Sequence, residues 1–252
     1  MRHALTTMLA AAVLATPCFA EVTVRNDGIF ENGAPRAIVY DRDGKEVARK
    51  TLTEKGGTLK FTGRIPDGPV NEYYPNGKLR RMTTFRGNDK NGLMEMYDEK
   101  GRLYSRAMLK NGKCNGDVAM FYDSGKQRET YSCKDGRWEG EYRVYSPDGK
   151  LTNTEPYSNG QINGVSTGYY ESGKVHDTVT YENSVKNGPT RLYFENGKPQ
   201  IEGNFKNNNF DGVVKTYFES GALMYEDVYK DGQQLSRRSY KKNGKLQYEK
   251  KY

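Results

Sequence analysis

Histidine is nearly absent from this sequence: His3 and His176 are the only two in 252 residues. A catalytic triad or a histidine-based metal site needs other His or Cys residues nearby, and the chain has none to offer. Cysteine is equally scarce, at Cys18, Cys114 and Cys133. No glycine-rich phosphate loop stands between a strand and a helix, so nucleotide binding has no support. Asp-Gly words occur at Asp67, Asp135, Asp148, Asp211 and Asp231, but each offers one or two oxygens where a calcium loop needs several. The 40 basic and 32 acidic residues are interspersed, with no run of five basic residues to mark a nucleic-acid patch. Only 35% of residues are hydrophobic, which argues against a thick core. We therefore expect no catalytic, cofactor-binding or metal-ligating residues, and no enzyme.

What is plentiful is glycine (28) and tyrosine (20), with aromatics at 12%. Disordered chains are poor in aromatics, whereas here they recur at fixed positions. A thin, ordered structure with many turns follows, each ring covering a large area of a shallow core.

Residues 1–20 read as a targeting segment. Met1-Arg2-His3 is a short basic start, Met8 to Ala15 is uninterruptedly apolar, and Cys18-Phe19-Ala20 ends on small residues at −3 and −1. This is a secretory signal peptide cut between Ala20 and Glu21. Pro17 stands where lipoprotein processing of Cys18 would want a small residue, which favours soluble export to the periplasm or beyond. No later stretch approaches membrane-spanning length. The mature chain keeps Cys114 and Cys133, an even count that permits a disulfide in an oxidising compartment.

Glycines fall at 77, 101, 125, 149, 173, 197 and 221, each 24 residues apart. With that glycine as position zero, +8 is Phe85, Leu109, Cys133, Tyr157, Tyr181, Phe205 and Tyr229. Position +15 is Gly92, Gly116, Gly140, Gly164, Gly188 and Gly212, then Ser236, and +20 is aromatic from Tyr97 to Tyr217. Each unit carries two turns, one at position zero and one from about +10 to +15, with strands between. The expected fold is all-β: an elongated single-layer antiparallel sheet of stacked 24-residue β-hairpins, the +8 and +20 aromatics forming a repeated stripe. Residues 21–52 are read as an N-terminal cap and 53–252 as the array. Within the array, 53–76 is a degenerate first unit, 77–243 holds seven clear units, and 244–252 is a stub that starts one residue early, at Gly244.

The turn Tyr122-Asp123-Ser124-Gly125 bears on the cysteines. With Asp123 and Ser124 central, cross-strand partners have numbers totalling 247, as Cys114 and Cys133 do; a glycine bulge moves the total to 248 and leaves them one step off. Opposed strand residues lie within disulfide reach. A bridge is expected, against the alternative of two free thiols filling small gaps. His176 reads as an exposed surface histidine. Trp138, beside a second turn, either anchors a partner or staples the turn.

The word Y-x-x-N-G-K-L, a mid-repeat aromatic, and N-G followed by an aromatic five residues later resemble the MORN repeat, and more closely the variant repeats of bacterial proteins labelled YwqK-type antitoxins. The likeness covers about 53–252. Tyr97 to Leu103 also resembles the opening of the tyrosine-aspartate repeats of large toxin shells. The MORN resemblance implies an elongated sheet that acts as a binding or scaffolding platform, in some members at membranes. The antitoxin label implies a partner toxin, and with a signal peptide the coherent version is a periplasmic immunity protein. The functional expectation is a non-catalytic exported interaction protein whose partner is another protein, such as a toxin or effector. The alternative is a binder of cell-wall glycan or an anionic lipid surface. Export argues against nucleic acid.

Overall fold

In the computed structural model, residues 20–252 are described, and the apolar run read as a signal peptide lies outside them. Among the described residues there are twenty-two strands and no helix. The first six are β1 (Val22–Ile29), β2 (Pro35–Arg42), β3 (Lys45–Leu52), β4 (Thr58–Gly63), β5 (Gly68–Tyr73) and β6 (Leu79–Arg86). From β5 onward the strands pair antiparallel in chain order to Leu246–Lys251, all in one open sheet. The elongated stack of hairpins is therefore what the sequence period specifies.

Two kinds of turn alternate along it. At position zero the chain makes a type I turn with a glycine bulge: Gly125 N–H donates to Tyr122 O, and Tyr122 N–H to Lys126 O. Gly125 sits at φ 81°, where a side chain is strained. The word around this turn also stitches units together. Asn76 Nδ2 and Lys78 Nζ donate to the carbonyls of Glu99 and Lys100 in the next turn, and Asn196 and Lys198 repeat this on Glu219 and Ser220. The second turn has only two central residues, such as Asn111-Gly112 or Asp135-Gly136, both at positive φ, the primed type whose twist suits a hairpin. Its second residue donates to a carbonyl 22 residues upstream: Gly112 to Lys90, Gly136 to Cys114, Gly160 to Trp138. Both long margins of the sheet are thus ladders of stacked turns.

Three expectations need correction. The +15 glycine is not part of the second turn but a bulge within the following strand; Gly92, Gly116, Gly164 and Gly188 have φ of 119–126°. A Cβ on Gly116 would approach Met108 Cβ to 2.9 Å, so close strand contact as well as φ demands glycine. The bulge also shifts the pairing by two residues where the +15 glycine is present, as from Leu109↔Cys114 to Ala107↔Val118.

Residues 53–76 are not a hairpin. Their first turn forms, with Gly56 N–H on Thr53 O, but β4 pairs only with β3 while β5 pairs in parallel with β1. The strand order at this end is therefore β4-β3-β2-β1-β5-β6. Arg64–Asp67 cross over between β4 and β5 instead of closing a tight turn, even though Asp67-Gly68 is an Asp-Gly pair. Ile65, 1% exposed, packs in one cluster with Val22, Tyr40, Ala48, Val70 and Phe85.

The third correction concerns the stripe. In Leu103–Lys110, Ser105, Ala107 and Leu109 are buried while Tyr104, Arg106, Met108 and Lys110 are exposed, the period of two that a strand imposes. Leu109 at +8 shares the covered face with Met94 and Val118, opposite Ala107. Tyr97 at +20 donates to Glu95 on the other face, where Arg106 also binds Glu95. The two aromatic series therefore lie on opposite faces.

Candidate binding face

The covered face has no second layer over it; its own rings shield it. They are densest in the middle of the sheet. Tyr131 stacks on Trp138 at 4.5 Å between centroids, Trp138 on Tyr142 at 5.2 Å, and Tyr157 meets Trp138 edge-on at 4.8 Å. Period-two alternation and the bulge together bring these four from three strands into one cluster. A second group, Phe205, Phe210 and Tyr229, lies further along, with Phe205 and Phe210 stacked at 4.4 Å. Position +13 supplies Trp138 and Phe210, a contribution that the +8 and +20 registers did not reveal. Trp138 both packs beside its turn and belongs to the cluster.

Carboxylates edge the rings. Tyr157 OH donates to Glu155 Oε2 at 3.1 Å. Burial, then Glu129, pushes Tyr142 up to about 12; burial, then Glu155, does the same to Tyr157. Unfolded tyrosine titrates near 10. A raised folded value means that these rings contribute stability fully present below about pH 10, lost as pH rises through about 12. A tyrosinate absorbance titration should show a late-ionising class whose appearance coincides with loss of the β-sheet circular dichroism signal.

The opposite face is a charge ladder. Glu202 accepts from Tyr217 OH at 2.8 Å and pairs with Arg191 at 3.5 Å, and Arg238 bridges Glu226 and Glu249. Such exposed pairs are worth about 0–1 kcal/mol each and keep that face solvated.

Cys114 and Cys133 are joined in a disulfide, with Cα atoms 5.6 Å apart. They are not direct cross-strand partners. The pairing totals 248 only at Gln127↔Phe121 and becomes 249 beyond a further irregularity, so Cys133 faces Gly116. The Gly116 bulge brings Cys114 within reach diagonally, and Cys133 packs at 7% exposure with Ala107 and Val118. Thiol titration of the oxidised protein under denaturing, non-reducing conditions should find no reactive thiol at these two positions. A bridge closing this 19-residue separation contributes about 3 kcal/mol, so reduction should lower the melting temperature.

His176 is not isolated: its Nδ1 lies 2.7 Å from Asp177 Oδ1, and its ring meets Tyr170 edge-on at 4.6 Å. Among the described residues, no three His, Cys, Asp or Glu side chains gather to hold a metal. Glu21, the residue after the expected cleavage, accepts from Asn71 Nδ2 and Tyr73 OH. These hydrogen bonds, Asn71 first, hold its carboxyl below the usual range. Ala20 lies at the start of the described chain.

A sheet of this build is a repeat platform, and comparison with known families names the repeat. The MORN repeat variant matches residues 66–86, 138–159, 162–183, 186–207 and 210–231. The chain thus carries five recognisable MORN variant repeats, each framing one glycine-bulge turn and its two strands. The hairpins around Gly101 and Gly125 fall outside those segments, yet make the same turn. Repeats of this class are generally protein- or lipid-binding modules. No curated protein matches the chain. Among solved structures it is similar to a GtfA/B complex bound to UDP and GlcNAc, at 12% identity over 71% of this chain and 28% of that one, TM-score 0.17. It is also similar to the TcdB2-TccC3-Cdc42 complex, at 15% identity over 82% and 13%, TM-score 0.22. A third is the Photorhabdus luminescens Tc holotoxin pore, at 12% identity over 88% and 14%, TM-score 0.19. The chain spans less than a third of each, and similarity at this level carries no functional argument.

Proposed function

We propose that this is an exported, non-catalytic interaction protein that binds a protein partner on its aromatic face. The supporting observation is the Tyr131–Trp138–Tyr142–Tyr157 cluster on a face left open by a single-layer sheet. Large rigid rings give contact area at low entropic cost and dominate binding energy at interfaces. A secreted toxin or effector as the partner would make the protein a periplasmic immunity protein of the antitoxin type. Stoichiometric co-purification of one protein from the periplasm, lost on Trp138→Ser with Tyr142→Ser but kept on Arg106→Ser, is the expected result. The same rings suit stacking on sugars, which makes cell-wall glycan the second reading. Because Trp138 is the only tryptophan, quenching of its fluorescence by soluble wall fragments, with no protein co-purifying, would transfer the assignment to glycan.

A further inference from the structure

The N-terminal end of the same face holds a second feature, separate from the Tyr131–Trp138–Tyr142–Tyr157 cluster. Where β1, β2 and β3 lie beside β5 and β6, a depression of about 240 Å³ opens on the sheet. The rings of Tyr40 and Phe85, in edge contact at 5.9 Å, belong to its lining. An adjoining depression of about 360 Å³ shares Tyr40, Lys50, Phe85 and Lys90 with it. The cations here are not equivalent. Arg81 is engaged by Glu72, and the Arg80 guanidinium lies over the Tyr74 ring at 5.8 Å. Glu72 lines the first depression and Asp89 the second, but neither comes within ion-pair distance of Lys50 or Lys90. Burial, then the charges of Arg81 and Lys50, pushes the Lys90 ammonium down from its ordinary value, with Glu72 acting the other way.

Lys90 also stands at +13, a packing position. Its counterparts are Cys114, Trp138, Ile162 and Phe210, with Gln234 bonded to Asp227 in the last unit; at Lys186 the ammonium rests over the Phe205 ring at 5.2 Å. A half-buried lysine without an anion costs stability, while an apolar residue would cost nothing at this position. We propose that Lys50 and Lys90 form the binding site of a phosphate dianion, carried as the monoester group of a small molecule. Two ammonium groups outside any ion pair are matched by a dianion and only half matched by a carboxylate. Lysine serves phosphate as a compact point charge, and the Tyr40 and Phe85 rings supply apolar walls for the remainder of the ligand.

Calorimetric titration of the oxidised, signal-free protein with inorganic phosphate and with glycerol phosphate tests this. Both should bind, and Lys50→Met or Lys90→Ile should weaken binding at least tenfold, while Lys110→Ile, on the exposed face, leaves it unchanged. Lys90→Ile should melt at the same or a higher temperature, which separates lost affinity from lost fold. Sedimentation with phosphatidic acid vesicles, abolished by Lys90→Ile without binding of the soluble phosphates, would place the same dianion on a lipid headgroup. Acetate binding as tightly as phosphate, undiminished binding by Lys90→Ile, or no binding in any arm overturns the proposal. None of these outcomes depends on Trp138 or Tyr142, so failure here leaves the aromatic-face reading standing.

Discussion

Replacing Asp227 by alanine should destabilise the C-terminal end of the sheet by about 3 kcal/mol. The Asp227 side chain is 4% exposed, accepts two bonds from Arg237 at 2.7 and 2.8 Å, and takes a third from Gln234 at 2.8 Å. The Arg237 guanidinium also lies over the Tyr225 ring at 4.5 Å. Removing the carboxylate strands a cation that is only 31% exposed. That partial exposure places the cost at the lower end of the roughly 3–5 kcal/mol range for broken buried pairs. Its sequence neighbour provides the control. Glu226 meets Arg238 at 3.4 Å on the open face, and Glu226→Ala should cost under about 1 kcal/mol. In an array whose units touch only their neighbours, the loss stays local. Hydrogen exchange should therefore quicken across 223–251 and remain unchanged before about residue 190. Equal effects of the two alanines would contradict this account.

The second large effect is expected at the other end. Ile65→Ala should cost about 3 kcal/mol, within the usual range for isoleucine truncated in a core. Ile65 is one of the two largest fully buried side chains, and its segment is pinned at both ends. Arg64 N–H donates to Val47 O at 3.0 Å, Ile65 N–H to Asn88 Oδ1 at 2.7 Å, and Gly87 N–H to Asp67 Oδ1 at 2.9 Å. The backbone cannot collapse easily into the cavity, so little of the cost is recovered. Gly63→Ala should disturb the same crossing by another route. Its φ is 80°, and an added Cβ would collide with the Val47 carbonyl and come within 2.8 Å of Ala48 Cα. Ile29→Ala, at a residue 65% exposed, should change stability by no more than about 0.5 kcal/mol. Exchange protection across 45–70 reads the difference. Loss of β-structure throughout the chain would show that cap and array are one cooperative unit.

The 24-residue glycine period, the alternation of two turn types and the all-β stack were determined by the sequence alone, because each depends on local chemistry. Asn-Gly and Asp-Gly pairs favour tight turns, primed at Asn111-Gly112 and Asp135-Gly136 and glycine-bulged at Asn76-Gly77, and strands of fixed length between them have no other partner. Even the early arrival of Gly244 was legible, and the structure supplies its reason. Where Ser236 replaces the +15 glycine, the pairing shifts by one residue instead of two, from Tyr229↔Gln234 to Val228↔Ser236 and Asp227↔Arg237. That single residue sets Arg237 opposite Asp227.

Tertiary structure decided what depends on contacts between distant segments. Bulges changed which residues share a face, and so split the +8 and +20 aromatics and placed the cysteines diagonally, since a one-residue step inverts a strand's faces. The parallel insertion of β1 beside β5 left no local signature, because residues 53–76 repeat the aromatic and glycine positions of a true unit. Only the crossing at Ile65, stabilised by burial against five strands, separates them. The pairing of Lys50 with Lys90 around one hollow arises from that crossing, and forty residues of sequence separation conceal it.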